Sequence, residues 1–237
     1  MKIIFLTLLS LAAGKDIFAL DFQILGGAQS LDSSEILGSG SAKGSEAGVR
    51  LSFDIIGDST LSSGVFATQS SYKISRETTE NDAIYKHDGT FGGTGYGVDF
   101  RINLPLFAVQ PYLRLAYVFT QYSYELDSST SYTAPSGNAL LTTMASLLEL
   151  QSRGAESGIG LMTEWGSNYV IFAEYLERRE TLEVQTANLD FANFSDGIEQ
   201  PLNAGAAEII NDFRKLYGDK MMHSTTTFLM GVGLRFR

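Results

Sequence analysis

Near its C-terminus the chain reads Phe228-Leu229-Met230-Gly231-Val232-Gly233-Leu234-Arg235-Phe236, with a large apolar side chain at every second position. Successive side chains of a β-strand point to opposite faces, so this period of two predicts a strand with one apolar face. The opposite face carries Arg235 beside two glycines. The segment therefore predicts an amphipathic strand that separates an apolar environment from a polar one.

The same period of two recurs upstream and predicts seven more strands. They cover residues 20–24, 49–55, 61–74, 96–104, 112–119, 159–165 and 169–182. The alternation is least decisive in the last of these, where Val170 and Phe172 share a face with Glu174. We therefore expect an all-β protein built from eight antiparallel strands.

The connections between these strands alternate in length. Short turns are expected near Gly57-Asp58, Pro105-Leu106 and Gly166-Asn168, whereas the other four connections run over roughly 15 to 40 residues, which is long for ordinary loops. Short turns at one end and four long loops at the other are typical of transmembrane barrels, whose turns face the periplasm and whose loops face outside. A soluble lipocalin-type barrel with its apolar face inward is the alternative, because both architectures alternate.

Composition excludes several classes of protein. The 237 residues include no cysteine, so disulfide scaffolds and thiolate metal sites are excluded. A net charge of −10 offers no basic surface for nucleic acid. His87 and His223 are the only histidines, which makes a multi-histidine metal site improbable. We expect neither a metal nor a cofactor.

The first 19 residues are predicted to be a cleaved signal peptide. Met1-Lys2 precedes an apolar run at 3–13, and Ile17-Phe18-Ala19 is a suitable cleavage site; cleavage after Gly14 is the alternative. The run is too short for a transmembrane helix, which needs about 20 apolar residues. Residues 20–237 then form the barrel domain.

With this export signal and eight strands, the chain resembles the small eight-stranded outer-membrane barrels of the OmpA/OmpX type. The final strand is similar to their insertion signal at Phe228, Met230, Val232, Leu234 and Phe236, although Arg237 follows the terminal aromatic residue. The resemblance implies the outer membrane of a Gram-negative bacterium as location. It also implies contact with outer-membrane lipid and lipopolysaccharide, recognition by the barrel insertion machinery, and surface partners reached through the external loops.

An eight-stranded barrel has a narrow lumen, and charged side chains on its inner face must pair with one another. We expect Asp21 and Arg235 to meet where the first and last strands close the barrel. The predicted lumen network comprises Asp21, Arg50, Asp54, Asp99, Arg101, Arg114, Glu164, Glu174 and Arg235.

The turn near Leu106-Phe107 determines which of these residues are paired. A tight antiparallel turn centred there places Asp99 opposite Arg114. If the flanking prolines widen the turn, the register slips by two and Arg114 faces Arg101 or Gly97 instead.

Two stretches have apolar residues at helical spacing, residues 138–150 and 203–217, and Gly218 stands where a helix would end. They fall in the third and fourth long loops, and we expect two short helices that pair over the outer mouth of the barrel.

The expected role is non-enzymatic, either envelope integrity or the display of surface loops for contact. A narrow passive pore is the first alternative. The second is an outer-membrane lipid hydrolase resembling the lipid A deacylases, in which a His and a Ser two residues apart share a strand face. Here His223 and Ser224 are adjacent, and only Thr225 has the required spacing.

The signal peptide can be tested directly. Mass spectrometry of the exported protein should give an N-terminus at Leu20, because an alternating strand begins there. An N-terminus at Lys15 would support the alternative site, and an intact Met1 would contradict cleavage.

Overall fold

Eight long strands and one short strand make up the described part of the chain. The computed structural model describes residues 19–32, 41–55, 60–80, 83–104, 108–133, 139–166, 168–195, 198–200 and 221–236. The strands are β1 (Leu20–Asp32), β2 (Ser41–Asp54), β3 (Leu61–Glu80), β4 (Ala83–Asn103), β5 (Val109–Thr133), β6 (Ala139–Trp165), β7 (Tyr169–Ser195), β8 (Ile198–Gln200) and β9 (Met221–Phe236). None of the described residues forms a helix long and apolar enough to cross a bilayer.

β1 closes the sheet by pairing with β2 on one side and with β9 on the other. The pairing continues in chain order from β2 to β7, and β7 pairs with β9, so the predicted eight-stranded antiparallel barrel is confirmed. β8 lies outside the ring and pairs only with the end of β7.

The strands are staggered around the ring. Following the register from Ile24 through β2 to β7 leads to Met222 on β9, whereas Ile24 itself pairs with Val232. A stagger of this kind tilts the strands relative to the barrel axis, as closure of a sheet requires.

The apolar faces of the strands point outward. Leu115 is 59% exposed, whereas its neighbour Arg114 is 2% exposed and points into the barrel. A barrel in a membrane needs the apolar residues of the alternating segments to face outward, and these side chains are exposed or half-buried in the same way: Leu51, Phe53, Val98, Phe100, Leu113, Leu161, Met230 and Val232. The lipocalin-type alternative, which needs these side chains inside, is wrong.

These outward side chains form a belt edged by aromatic rings. Tyr96 and Phe119 lie at one edge, and Trp165 and Tyr169 lie at the other, beside a short turn. On β5 the exposed apolar side chains extend from Val109 to Phe119, which is about 25 Å along the axis for strands tilted by about 40°. Outer-membrane barrels have apolar bands of about this height, flanked by aromatic girdles.

Five strands continue far beyond the belt, on the side away from the short turns. β3 and β4 stay paired up to Glu80 and Ala83, and β5 and β6 up to Thr133 and Ala139. The prediction of long loops between β3 and β4 and between β5 and β6 is therefore wrong, because the polar residues there continue the hydrogen-bonded ladder. We call residues 70–80, 83–95, 120–133, 139–152 and 182–195 the projecting wall.

The predicted helix at residues 138–150 is also wrong, since β6 runs unbroken from Ala139 to Trp165. β5 and β7 offer hydrogen-bonding partners on both sides of this segment, and that pairing overrides its local helical spacing. Leu148 and Leu150 consequently alternate into the barrel and are buried. The second predicted helix, residues 203–217, lies outside the described residues.

The register between β4 and β5 differs from that of a tight turn centred at Leu106-Phe107. Arg101 pairs with Arg114 and Asp99 pairs with Ala116, so the prediction that set Asp99 directly opposite Arg114 is wrong. Pro111 has no N–H to donate, and its carbonyl accepts a 2.9 Å hydrogen bond from Leu104 N at the last step of the ladder. The strands pair in the register that is slipped by two, in which Arg114 faces Arg101.

The belt can be tested with one pair of matched substitutions. Leu115→Arg should lower the free energy of folding into lipid vesicles by about 2–4 kcal/mol, because it places a cation in the apolar band. Leu141→Arg, on the exposed outer face of the projecting wall, should leave that free energy nearly unchanged. Urea titration in vesicles measures both, and equal effects would contradict the position of the belt.

Candidate functional site in the lumen

Four strands bring charged side chains together in the middle of the lumen. β2 supplies Arg50, β4 Asp99, β5 Arg114 and β7 Glu174. The residues before and after each of them face outward, and they are apolar. The cluster therefore lies at the height of the belt.

Arg50 connects opposite walls of the barrel. Its Nη1 and Nη2 donate to Glu174 Oε1 and Oε2 at 2.7 Å each, and its Nε lies 3.2 Å from Asp99 Oδ2. Arg114 Nε donates to the same Asp99 oxygen at 2.8 Å, so Arg114 reaches Asp99 diagonally despite the slipped register. The side chains of Arg50, Asp99 and Glu174 are 0% exposed, and two-point arginine–carboxylate contacts of this kind are the strong form of ion pair.

The ion pairs continue toward the projecting wall. Arg114 Nη1 donates to Glu156, and Arg178 Nε donates to the other oxygen of Glu156 at 2.7 Å. Arg178 Nη2 also lies 3.2 Å from Glu46 Oε1. Glu46, Glu156 and Arg178 were not among the predicted lumen residues, although Glu174 and Arg178 have the even spacing of one strand face.

A second ion cluster closes the end with the short turns. Arg235 Nε and Nη2 donate to the two carboxylate oxygens of Asp21 at 2.7 Å each. Arg235 Nη1 also contacts Glu164, and Asp54 is buried within the same end of the barrel. Asp21 and Arg235 are directly paired residues on β1 and β9.

Arg101 points into the lumen but stands apart from these pairs. It is buried, and its guanidinium lies 5.9 Å from the centre of the Tyr112 ring. Among the described residues, no carboxylate forms an ion pair with it. The structure therefore brings together eight of the predicted residues in or beside two clusters and leaves Arg101 outside them.

Glu180 organises a polar cluster above the belt. Thr120 Oγ1, Tyr122 OH and Ser152 Oγ donate to its carboxylate at 3.0, 2.7 and 2.9 Å. His223 Nε2 lies 3.0 Å from the same carboxylate. Glu180 was not among the predicted lumen residues, because the alternation of β7 is the least decisive of all the strands.

An apolar cluster closes the lumen above these polar residues, and we call it the apolar cap. Phe91 stacks on Tyr122 with ring centres 4.5 Å apart, and Tyr72 lies 5.7 Å from Phe91. The rest of the cap comprises the buried residues Leu31, Ala42, Tyr124, Leu148, Leu150 and Leu182. The lumen is thus filled at the height of the belt by charged groups and a second buried apolar cluster that includes Tyr112 and Phe172, and above the belt by the apolar cap.

The position of His223 bears on the hydrolase alternative. His223 and Thr225 point into the lumen and are buried, whereas Ser224 is exposed on the outer face. A lipid in the bilayer meets the outer face, so it cannot reach His223 without entering a filled lumen. Within the described ranges, no group of three or more His, Asp or Glu side chains is arranged to hold a metal ion.

The residues predicted to form the insertion signal share one outward face of β9. Each is between 41% and 58% exposed: Phe228, Met230, Val232, Leu234 and Phe236. They belong to the belt.

No protein-family model and no curated protein matches the chain. Among solved structures, it is similar to Neisserial surface protein A, with 14% identity, a TM-score of 0.44 and coverage of 92% of this chain and 99% of that one. It is also similar to the outer membrane protein OprG from Pseudomonas aeruginosa, with 13% identity, a TM-score of 0.42 and coverage of 92% and 96%. For the outer membrane protease OmpT from Escherichia coli the identity is 9%, the TM-score 0.41 and the coverage 94% and 98%. The similarity carries no activity over to this chain.

The central cluster predicts a strong effect of Asp99. Asp99→Ala should lower the free energy of unfolding by about 3–5 kcal/mol, because two buried guanidinium groups lose a shared carboxylate. Removing Arg114 as well should restore part of that loss, since Arg50 keeps its contacts with Glu174. Urea unfolding in vesicles measures each variant.

Asp127→Ala is the control, because Asp127 is exposed and the residue opposite it on β4 is another carboxylate, Asp88. Its effect should stay within about 0.5 kcal/mol. If the double variant lost as much as the sum of its two single variants, Asp99 and Arg114 would be energetically independent.

Proposed function

We propose that this chain is a non-enzymatic outer-membrane β-barrel protein with a closed lumen, whose projecting wall makes contacts at the cell surface. The observation that carries the proposal is the two-point contact between Arg50 and Glu174 across the lumen. A passage for solutes would have to break this contact, which takes from each of two buried charges its two-point partner.

A second closure supports the same conclusion. The apolar cap has no charged member and packs Phe91, Leu148 and Leu182 to 1% exposure or less. A hydrated ion that entered from the wall side would have to part these side chains before it reached Glu180. An ion would thus have to pass the apolar cap and then the charged central cluster, and this disfavours the narrow-pore alternative.

The projecting wall supports a role in surface contact over envelope integrity alone. On β5 it extends about 35 Å past Phe119. Its outer face carries mainly charged and polar side chains, including the exposed ion pair between Lys86 and Glu77 at 3.2 Å, beside a few apolar ones such as Leu141. A strand surface of this kind is suited to water and polar partners.

Export and insertion complete the proposal. Residues 1–19 direct the chain across the inner membrane, and the outward face of β9 is the surface that the insertion machinery reads. The belt then contacts outer-membrane lipid and lipopolysaccharide.

The proposal predicts no steady conductance in planar bilayers. Changing Arg50, Glu174 and Phe91 together to alanine removes the cross-lumen contact and the centre of the cap, so this variant should conduct. Changing Leu115, Leu161 and Val232 to alanine alters as many side chains on the outer face and should leave the barrel closed.

Heat-modifiable gel migration shows that each protein is folded before the measurement. Steady, large open-channel currents from the unmodified protein would contradict the closed lumen and favour the pore.

A further inference from the structure

A groove of about 650 Å³ crosses the outer face of the projecting wall directly above the belt. Nine exposed side chains from five strands line it, among them Gln69, Thr94, Gln121, Ser123 and Gln185. We call it the polar groove. Its volume falls within the range of about 300–1,000 Å³ that is usual for ligand sites.

Two local features of the sequence form this groove. Gly92 leaves its floor as bare backbone, since a Cβ there would have only Ser70 O within 4 Å, at 3.2 Å. On β7 the register shifts, so that Leu150 pairs with Val184 while Glu149 pairs with Thr186. Gln185 is the extra residue of this bulge, and its side chain stands on the outer face beside the groove.

The groove offers hydrogen bonds but no positive charge. Its three glutamine amides each donate and accept, and its hydroxyl groups do the same. The lining contains no Lys or Arg, and its charged members are Glu125 and Glu149. A phosphate or sulfate would meet two carboxylates and no cation, whereas the hydroxyl groups of a neutral polyhydroxylated ligand match the donors and acceptors of the lining.

The height of the groove indicates where such a ligand comes from. Tyr96 and Phe119, stacked with ring centres 5.7 Å apart, are the outward residues two positions below Thr94 and Gln121. They form the upper edge of the belt, so the groove faces the layer immediately outside the acyl chains. A protein partner would have to reach this height sideways through the sugars that cover the membrane.

We propose that the polar groove binds neutral sugar residues of a glycolipid in the outer leaflet. The inference rests on the proposed insertion into an outer membrane. The adjoining sector differs, because Arg153 and Glu183 form an ion pair there at 3.4 Å. The aromatic edge holds the acyl region, and the groove holds the first uncharged sugars above it.

The experiment uses the full barrel in nanodiscs and follows the amide signals of residues 92–94 and 121–123 by NMR. One set of nanodiscs contains lipid A with only its acidic inner sugars, and a second contains lipid A extended by neutral hexoses. A third arm adds the same hexose oligosaccharide, free of lipid, to the first set. Signals should move with the hexose-extended lipid, and less strongly with the free oligosaccharide.

Gln69→Ala combined with Gln121→Ala should raise the half-saturating concentration of the free oligosaccharide about tenfold, since two hydrogen-bonding amides are lost. Ser224→Ala combined with Thr226→Ala changes two exposed residues of β9 and should not alter it.

Three results would overturn the inference. Signals that move with the free oligosaccharide but not with the hexose-extended lipid would identify a soluble glycan as the ligand. Signals that move with the acidic sugars alone would identify an anion site. No movement in any arm would leave the groove without a sugar ligand. Heat-modifiable migration and conductance report insertion and lumen closure separately, so failure here is distinct from failure of the proposed function.

Discussion

The pairing of β1 with β9 is the contact on which the rest of the barrel depends. Backbone N–H and C=O groups within a bilayer have no water to bind, so a sheet can cross only if it has no free edge. The ladder from Leu20 to Asp32 removes that edge, and the Asp21–Arg235 ion pair fixes its register on the inner face. A slip by one residue would turn every lumen charge on β9 toward lipid.

Strand alternation couples the belt to the lumen. Each charged residue of the central cluster has apolar neighbours that face lipid, so the same segments fill the interior and anchor the exterior. Burial of charges is tolerated because Arg50, Arg114 and Arg178 each contact more than one carboxylate. A complete network of buried ion pairs adds little to the free energy of unfolding, whereas the loss of one member lowers it strongly. The network therefore favours the one arrangement of the strands in which all of its pairs form.

The sequence predicted the features that depend on alternation alone. The strands and the division of each into an apolar and a polar face follow from a period of two, and the meeting of Asp21 with Arg235 follows from closure. The register of Asp99 and Arg114 did not follow, because it depends on how Pro111 ends the ladder at the turn. A side chain can still reach across that offset, and Arg114 does so.

Other features lay beyond local pattern. Residues 138–150 have helical spacing, and only the presence of β5 and β7 on either side makes them a strand. The length of the projecting wall could not be predicted for the same reason. Its polar segments have the composition of loops, and only their pairing with neighbouring strands makes them β-structure. Glu180 and His223 come together from β7 and β9, which no spacing within one strand could indicate.

The two described ends of the barrel lie side by side. Leu20 pairs with Phe236 at the rim that carries the short turns. The same strand pairs could therefore form in a chain that begins at a different strand. A short linker there, with the chain opened at another turn of that rim, would preserve every strand pair. The barrel is therefore suited to circular permutation, which would carry the chain ends to a different sector of the rim.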